Sequence, residues 1–113
     1  MHEIAIVENT FKIILEVAQK EKLSRIHRVN FLIGEMHGIV PGIFHHAFES
    51  AASDTIAEKA KLHLEIIPIK MKCTKCGHEF LLVNNEYYCQ KCENTDLELT
   101  GGKELTIKSI EGE

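Results

Sequence analysis

Apolar residues recur at spacings of three and four from the start of the chain, at Ile4, Val7, Phe11, Ile14 and Ala18. That period collects them on one helical face and predicts an amphipathic helix over residues 4–21. Opposite them, Glu8, Lys12, Glu16 and Lys20 stand four apart with alternating sign, so they can pair along a solvent face. The period then shortens to two. Val29, Phe31 and Ile33 alternate with Arg28 and Asn30, which predicts a strand over residues 26–33. Gly34 and Gly38 bracket a short loop, Glu35-Met36-His37, and Pro41 sits where a second helix opens, its missing N–H being no loss in a first turn. Phe44, Ala47, Phe48 and Ala51 give that helix its apolar face. Leu62, Leu64 and Ile66 alternate with His63 and Glu65 in a second strand over residues 62–69. After the turn pair Gly101-Gly102, residues 104–110 read as a third strand. Being too short to stand alone, it is expected to rejoin the sheet begun by the first two.

Residues 70–100 break this pattern: apolar periodicity thins, and all four cysteines fall here. The expected class is therefore α+β, a small three-stranded sheet packed with two helices plus an inserted zinc-ribbon module. The expected divisions are residues 1–69 as an α/β domain, 70–100 as an inserted domain that carries the cysteines, and 101–113 as a strand returning to the first domain.

The cysteines are Cys73, Cys76, Cys89 and Cys92, two Cys-x-x-Cys pairs separated by twelve residues. Each pair can turn its two sulfurs toward one point, and two such knuckles complete a tetrahedron. Zn²⁺ has no d-electron preference for another geometry and binds thiolate well. Four thiolates leave no open coordination position, so the zinc is structural rather than catalytic. A rubredoxin-like iron centre would use the same sulfur geometry. Gly77 follows the first pair, where the chain must bend, and Phe80, Tyr87 and Tyr88 are the expected small core of the module. Some 30 residues cannot fold on apolar burial alone, and metal binding supplies the remainder. His78, two residues beyond Cys76, is read first as solvated and second as a neighbour or alternative ligand of the metal.

Met1-His2-Glu3 is a second chemical feature. A histidine in second place lets the α-amine, an amide nitrogen and the imidazole close fused chelate rings, a planar nitrogen set that favours Ni²⁺ or Cu²⁺. The bulk of His2 keeps Met1 in place, and Glu3 offers an oxygen or a supporting hydrogen bond. His37 would join such a site only if the fold brought its loop to the amino terminus.

Charge narrows the partners. The net charge is -4, and neither the first 69 residues, with seven Lys/Arg against nine Asp/Glu, nor the cysteine segment, with four against five, is basic. A nucleic-acid binder normally displays a basic stripe, so none is expected. No apolar run approaches the roughly 18 residues of a membrane span. No basic stretch followed by an apolar run opens the sequence, and the expected location is the cytoplasm, where thiols stay reduced.

These motifs together resemble the nickel-incorporation proteins of the HypA/HybF type. The marks are Met1-His2-Glu3 opening a helix, Leu32-Ile33-Gly34-Glu35 closing the first strand, and Thr55-Ile56-Ala57-Glu58-Lys59-Ala60 after the second helix. The two cysteine pairs follow, then Thr100-Gly101-Gly102-Lys103-Glu104-Leu105 before the last strand. The resemblance covers essentially the whole chain. It implies a non-enzymatic nickel metallochaperone for [NiFe]-hydrogenase and, in some organisms, urease. It implies His2 as the essential nickel ligand with the Met1 amine, and Glu3 in support. It also implies a nickel-handling GTPase partner and the hydrogenase large subunit as receiver, the chain being monomer or dimer. Glu93-Asn94 follows the second pair where a histidine would match the first. The rival readings are a zinc-ribbon module for nucleic acid or a protein complex, and an electron-transfer protein with iron at the cysteines. A hydrolase is disfavoured, because Ser24 and Ser109 have no evident base.

Overall fold

A computed structural model describes residues 3–113. In it, helix α1 (Glu3–Lys20) leads to strand β1 (Ile26–Gly34), a 3₁₀ turn (Glu35–His37) and helix α2 (Pro41–Ala52). Strands β2 (Lys61–Ile67), β3 (Lys70–Cys73), β4 (Glu79–Leu81), β5 (Leu97–Gly101) and β6 (Leu105–Gly112) complete the chain. The strands form two separate sheets, ordered β2-β1-β6 and β4-β3-β5.

In the first sheet β1 is central, parallel to β2 and antiparallel to β6, with Phe31 opposite Leu64 on one side and Ile107 on the other. The period-two pattern fixes this register, because a one-residue slip would turn Val29, Phe31 and Ile33 out of the core. All three are fully buried, with Val7, Phe11 and Ile14 of α1 and Phe44 and Phe48 of α2 in the same cluster. Phe11 meets Phe48 edge-on at 5.6 Å, and Phe31 meets Phe44 at 5.3 Å.

Ile4 departs from the expected pattern. It is 62% exposed, and Ile6 is buried instead. At the first turn of α1 Glu3 and Ile6 join Val7 on the buried side, and Ile4 lies with Ile43 along a groove between the two helices. Glu8, Lys12, Glu16 and Lys20 are exposed as expected, but none of them joins an ion pair found among the described residues.

The apolar cluster contains no residue between Cys73 and Gly101. The second sheet is three short strands, β3 pairing antiparallel with both β4 and β5. Tyr87 (55% exposed) and Tyr88 (39%) do not form its interior, contrary to the sequence expectation. They lie in the loop segment between β4 and the second cysteine pair, and the buried side chains here are Cys73 and Cys89. The molecule measures 55 × 25 × 18 Å with a Cα radius of gyration of 17.6 Å. A compact domain of this length has a radius of about 13 Å. No helix among the described residues is long and apolar enough to cross a membrane.

Candidate metal centre

The two cysteine pairs build the same turn twice. In the first, Gly77 N–H donates to the Cys73 carbonyl (2.9 Å) and Cys73 N–H to the His78 carbonyl (2.9 Å). In the second, Glu93 N–H donates to the Cys89 carbonyl (2.7 Å) and Cys89 N–H to the Asn94 carbonyl (2.8 Å). The fifth residue of each turn has positive φ, Gly77 at 77° and Glu93 at 62°. Glycine takes that conformation freely, whereas Glu93 adopts it at a cost of about 1 kcal/mol.

The four sulfurs lie within 4.8 Å of one another and are the one cluster of three or more ligating groups among the described residues. Cys73 Sγ is 3.5 Å from Cys92 Sγ, and Cys76 Sγ is 3.5 Å from Cys89 Sγ. A disulfide would bring sulfurs to about 2.05 Å. A tetrahedron with Zn–S bonds of about 2.3 Å has edges of about 3.8 Å. The spacing fits a tetrahedral thiolate site and not a bridge.

The electrostatics point the same way. The Cys73 thiol is lowered to about 6, chiefly by the Cys76 backbone N–H 3.4 Å from its sulfur. For Cys89, loss of solvent is the largest influence and acts upward, but backbone N–H groups of Cys92 and Lys91 outweigh it and the thiol is lowered. Cys92 is pushed up to about 12: the Asn94 N–H favours its thiolate, but neighbouring sulfurs and desolvation prevail. A compact group of four thiols cannot ionise fully by itself, and a divalent cation at its centre removes that obstacle. The donor set suits zinc, which the four thiolates would hold as a closed structural unit.

His78 does not join the cluster. Its ring stacks on Phe80 at 5.6 Å and 21°, and only its carbonyl serves the turn. Met1 and His2 lie outside the described residues. Glu3 is 8% exposed, and its Oε2 accepts the Val40 N–H at 2.8 Å, which ties the start of α1 to the residue preceding α2. His37 Nε2 lies 3.0 Å from the Lys103 carbonyl oxygen.

The loop between β1 and α2 is also stitched to both connections of the second sheet. Glu35 Oε1 accepts from Ile69 N–H (3.1 Å), Met36 N–H donates to the Gly102 carbonyl (2.8 Å), and Gly34 N–H to the Glu104 carbonyl (2.6 Å). Sequence reasoning read Gly34 and Gly102 as turn residues. The structure adds a contact between them: a Cβ on Gly34 would lie 2.0 Å from the Gly102 oxygen. No periodicity signals such a non-local approach. Asn94, whose side chain reaches Cys73, was likewise missed, although its place after the second pair marked it.

Fold and centre together define an α+β protein carrying a ribbon suited to one tetrahedral metal ion. Residues 1–112 of the 113 match the family described as hydrogenase/urease nickel incorporation, metallochaperone, HypA. It is 38% identical to the hydrogenase maturation factor HypA of Dehalococcoides mccartyi strain CBDB1, over 98% of this chain and 93% of that protein. It is 36% identical to HypA of Methanocaldococcus jannaschii, over 96% and 94%. The hydrogenase maturation factor HybF of Klebsiella pneumoniae is 30% identical over the full length of both. The solution structure of the Ni metallochaperone HypA from Helicobacter pylori superposes with a TM-score of 0.69 at 28% identity, covering 99% of this chain and 97% of that one. The chain belongs to the HypA family.

Proposed function

We propose that this protein carries Ni²⁺ at its amino terminus and delivers it for maturation of [NiFe]-hydrogenase, with zinc at Cys73, Cys76, Cys89 and Cys92 as a structural centre. The observation that carries the reading is the full-length match to a nickel-incorporation family by a chain that begins Met1-His2-Glu3. The Met1 amine, an amide nitrogen and the His2 imidazole provide the planar nitrogen set that selects nickel over zinc by geometry. Glu3 supports the site by fixing the first turn of α1 against Val40. A delivery site must release its ion, and an open terminal chelate with one imidazole does so by ligand exchange, where a closed cage would not. The proposed partners are a nickel-handling GTPase and the hydrogenase large subunit, in the cytoplasm, with no catalytic turnover.

The test is a Ni²⁺ titration of the zinc-loaded protein with its native terminus, beside His2→Ala and a variant carrying one added residue before Met1. Binding of about one nickel per chain, lost in both variants, is the expected outcome. Equal binding by all three would remove the terminal site and the delivery role with it.

A further inference from the structure

The two cysteine turns are copies of each other in their backbone, but their surroundings differ on one side. His78 and Asn94 occupy equivalent positions, each lending its carbonyl to the first cysteine of its own turn. The His78 ring leaves the site and stacks on Phe80. The Asn94 amide crosses to the other turn, its Nδ2 lying 3.6 Å from Cys73 Sγ. Asn94 thus holds both turns at once: its carbonyl closes the second at Cys89, and its side chain donates to a sulfur of the first.

The amide's orientation follows from its partners. Asn94 Oδ1 accepts the Asp96 N–H at 3.3 Å, while Nδ2 donates to the Asp96 carbonyl at 3.2 Å as well as to the sulfur. Exchanging the two ends would set an oxygen against the sulfur and an N–H against an N–H, losing every bond. The loop carrying Asn94 is fastened beside Cys73 in turn. Thr74 donates through its N–H (3.3 Å) and its Oγ1 (2.9 Å) to the Asp96 carbonyl, and Oγ1 also lies 3.0 Å from Asp96 Oδ2.

Given the zinc reading above, on which this rests, we infer that Asn94 is a positioning residue for the metal centre, donating a hydrogen bond to the Cys73 sulfur that makes Cys73 the most firmly held of the four ligands. Cys73 is 1% exposed, so water does not offer its sulfur that donor. A donor on a metal-bound thiolate withdraws charge from sulfur, quiets it toward protons and competing metals, and orients its lone pairs. Groups of this kind around a metal change affinity by about 10- to 100-fold.

The experiment compares wild type, Asn94→Ala, Asn94→Asp and Thr74→Val, each loaded with zinc and separately with Co²⁺. Asn94→Asp keeps the shape and the acceptor for Asp96 N–H but presents oxygen to the sulfur. Thr74→Val loosens the loop without removing a donor from sulfur. One readout is the rate of zinc loss to a chromogenic chelator, and the other is the sulfur-to-cobalt charge-transfer band. The expected result is zinc loss at least about 10-fold faster in both Asn94 variants. Their charge-transfer band moves to lower energy, because a sulfur stripped of its donor is easier to oxidise, and the Thr74→Val band stays in place. An unmoved band in both Asn94 variants, or the same displacement in Thr74→Val, would overturn the assignment. Wild type that fails to hold one zinc per chain would sink the metal centre itself and the inference with it.

Discussion

Gly34 tests whether the junction between the two sheets depends on backbone approach alone. Its φ and ψ are −69° and 143°, ordinary extended values open to any residue, so alanine there carries no conformational penalty. Its constraint is spatial. An added Cβ would sit 2.0 Å from the Gly102 oxygen, 2.1 Å from the Gly102 carbonyl carbon and 2.5 Å from Lys103 N, all backbone atoms that cannot rotate aside. Ordinary contact begins at 3.4 Å, so the strands must part by the difference from 2.0 Å, about 1.4 Å. That displacement breaks the Gly34–Glu104 and Met36–Gly102 hydrogen bonds. Two bonds at about 1 kcal/mol each, with about 1–3 kcal/mol of overpacking, give a loss of about 3–5 kcal/mol. Of a total stability of about 5–15 kcal/mol this is a large share. In urea, with a slope of about 1.5 kcal/mol/M, the midpoint of the zinc-loaded protein should fall by about 2–3 M. Gly42→Ala is the internal control: it lies inside α2 with nothing within 4 Å of its added Cβ, and should gain about 0.4–1 kcal/mol. A Gly34→Ala loss below about 1 kcal/mol would show that the junction yields, and the close-approach argument would fail.

Stripping zinc with a strong chelator should abolish amide protection in β3, β4 and β5 while α1, α2 and β1 keep theirs, because the apolar cluster draws nothing from the second sheet; hydrogen exchange followed by mass spectrometry reads this, and protection that survives in β3 would contradict it. Glu93→Gly should raise the stability of the zinc-loaded form by about 1 kcal/mol, since Glu93 sits at φ 62°, while Gly77→Ala at φ 77° should lose a similar amount; thermal melts with opposite shifts are the check. The Glu79 carboxyl is held below its ordinary range chiefly by its hydrogen bond to the Lys70 ammonium, 2.9 Å away. Its folded value being the lower one, the pair supports β3–β4 above the unfolded carboxyl value of about 4.3 and loses that support as pH falls through the folded value. Lys70→Ala should therefore flatten the acid limb of a stability profile, and an identical limb in wild type and variant would rule the pair out.

The first sheet was legible because its residues repeat. Period two in residues 28–33 and period three to four in the helices each bury one face; in β2 Leu62 and Leu64 pack partly buried on the core while Ile66 stays exposed, and the observed bounds fall within about two residues of those expected. The cysteine cluster was legible because spacing alone specifies it. What stayed hidden is what sequence does not repeat. The second sheet has strands of only four, three and five residues, too short to show a period. Its interior is sulfur rather than Tyr87 and Tyr88, because a metal-centred fold has no need of an aromatic core. Ile4 was misplaced because periodicity says which residues share a face but not how much of that face the neighbouring elements cover: Ile4 and Ile43 line an open groove.

Topology explains why the cysteine module attaches at one end of the first sheet. A parallel β1–β2 pair brings Gly34 opposite Ile67, so the chain leaves β2 beside the end of β1, and antiparallel β6 re-enters there with Leu105 opposite Ile33. Any segment placed between β2 and β6 must attach at this edge. The bond from Val40 to Glu3 brings the first described turn of α1 to the same edge. One short loop, residues 34–40, therefore touches the helix that follows the proposed nickel ligands and, through Glu35, Met36 and His37, both strands of chain that lead to the cysteines. In a fold of two small bodies with separate interiors, that loop is bonded to both. The close approach of Gly34 to Gly102, the hydrogen bonds of Gly34, Glu35, Met36 and Val40, and Ile39 packed on the core hold it in place.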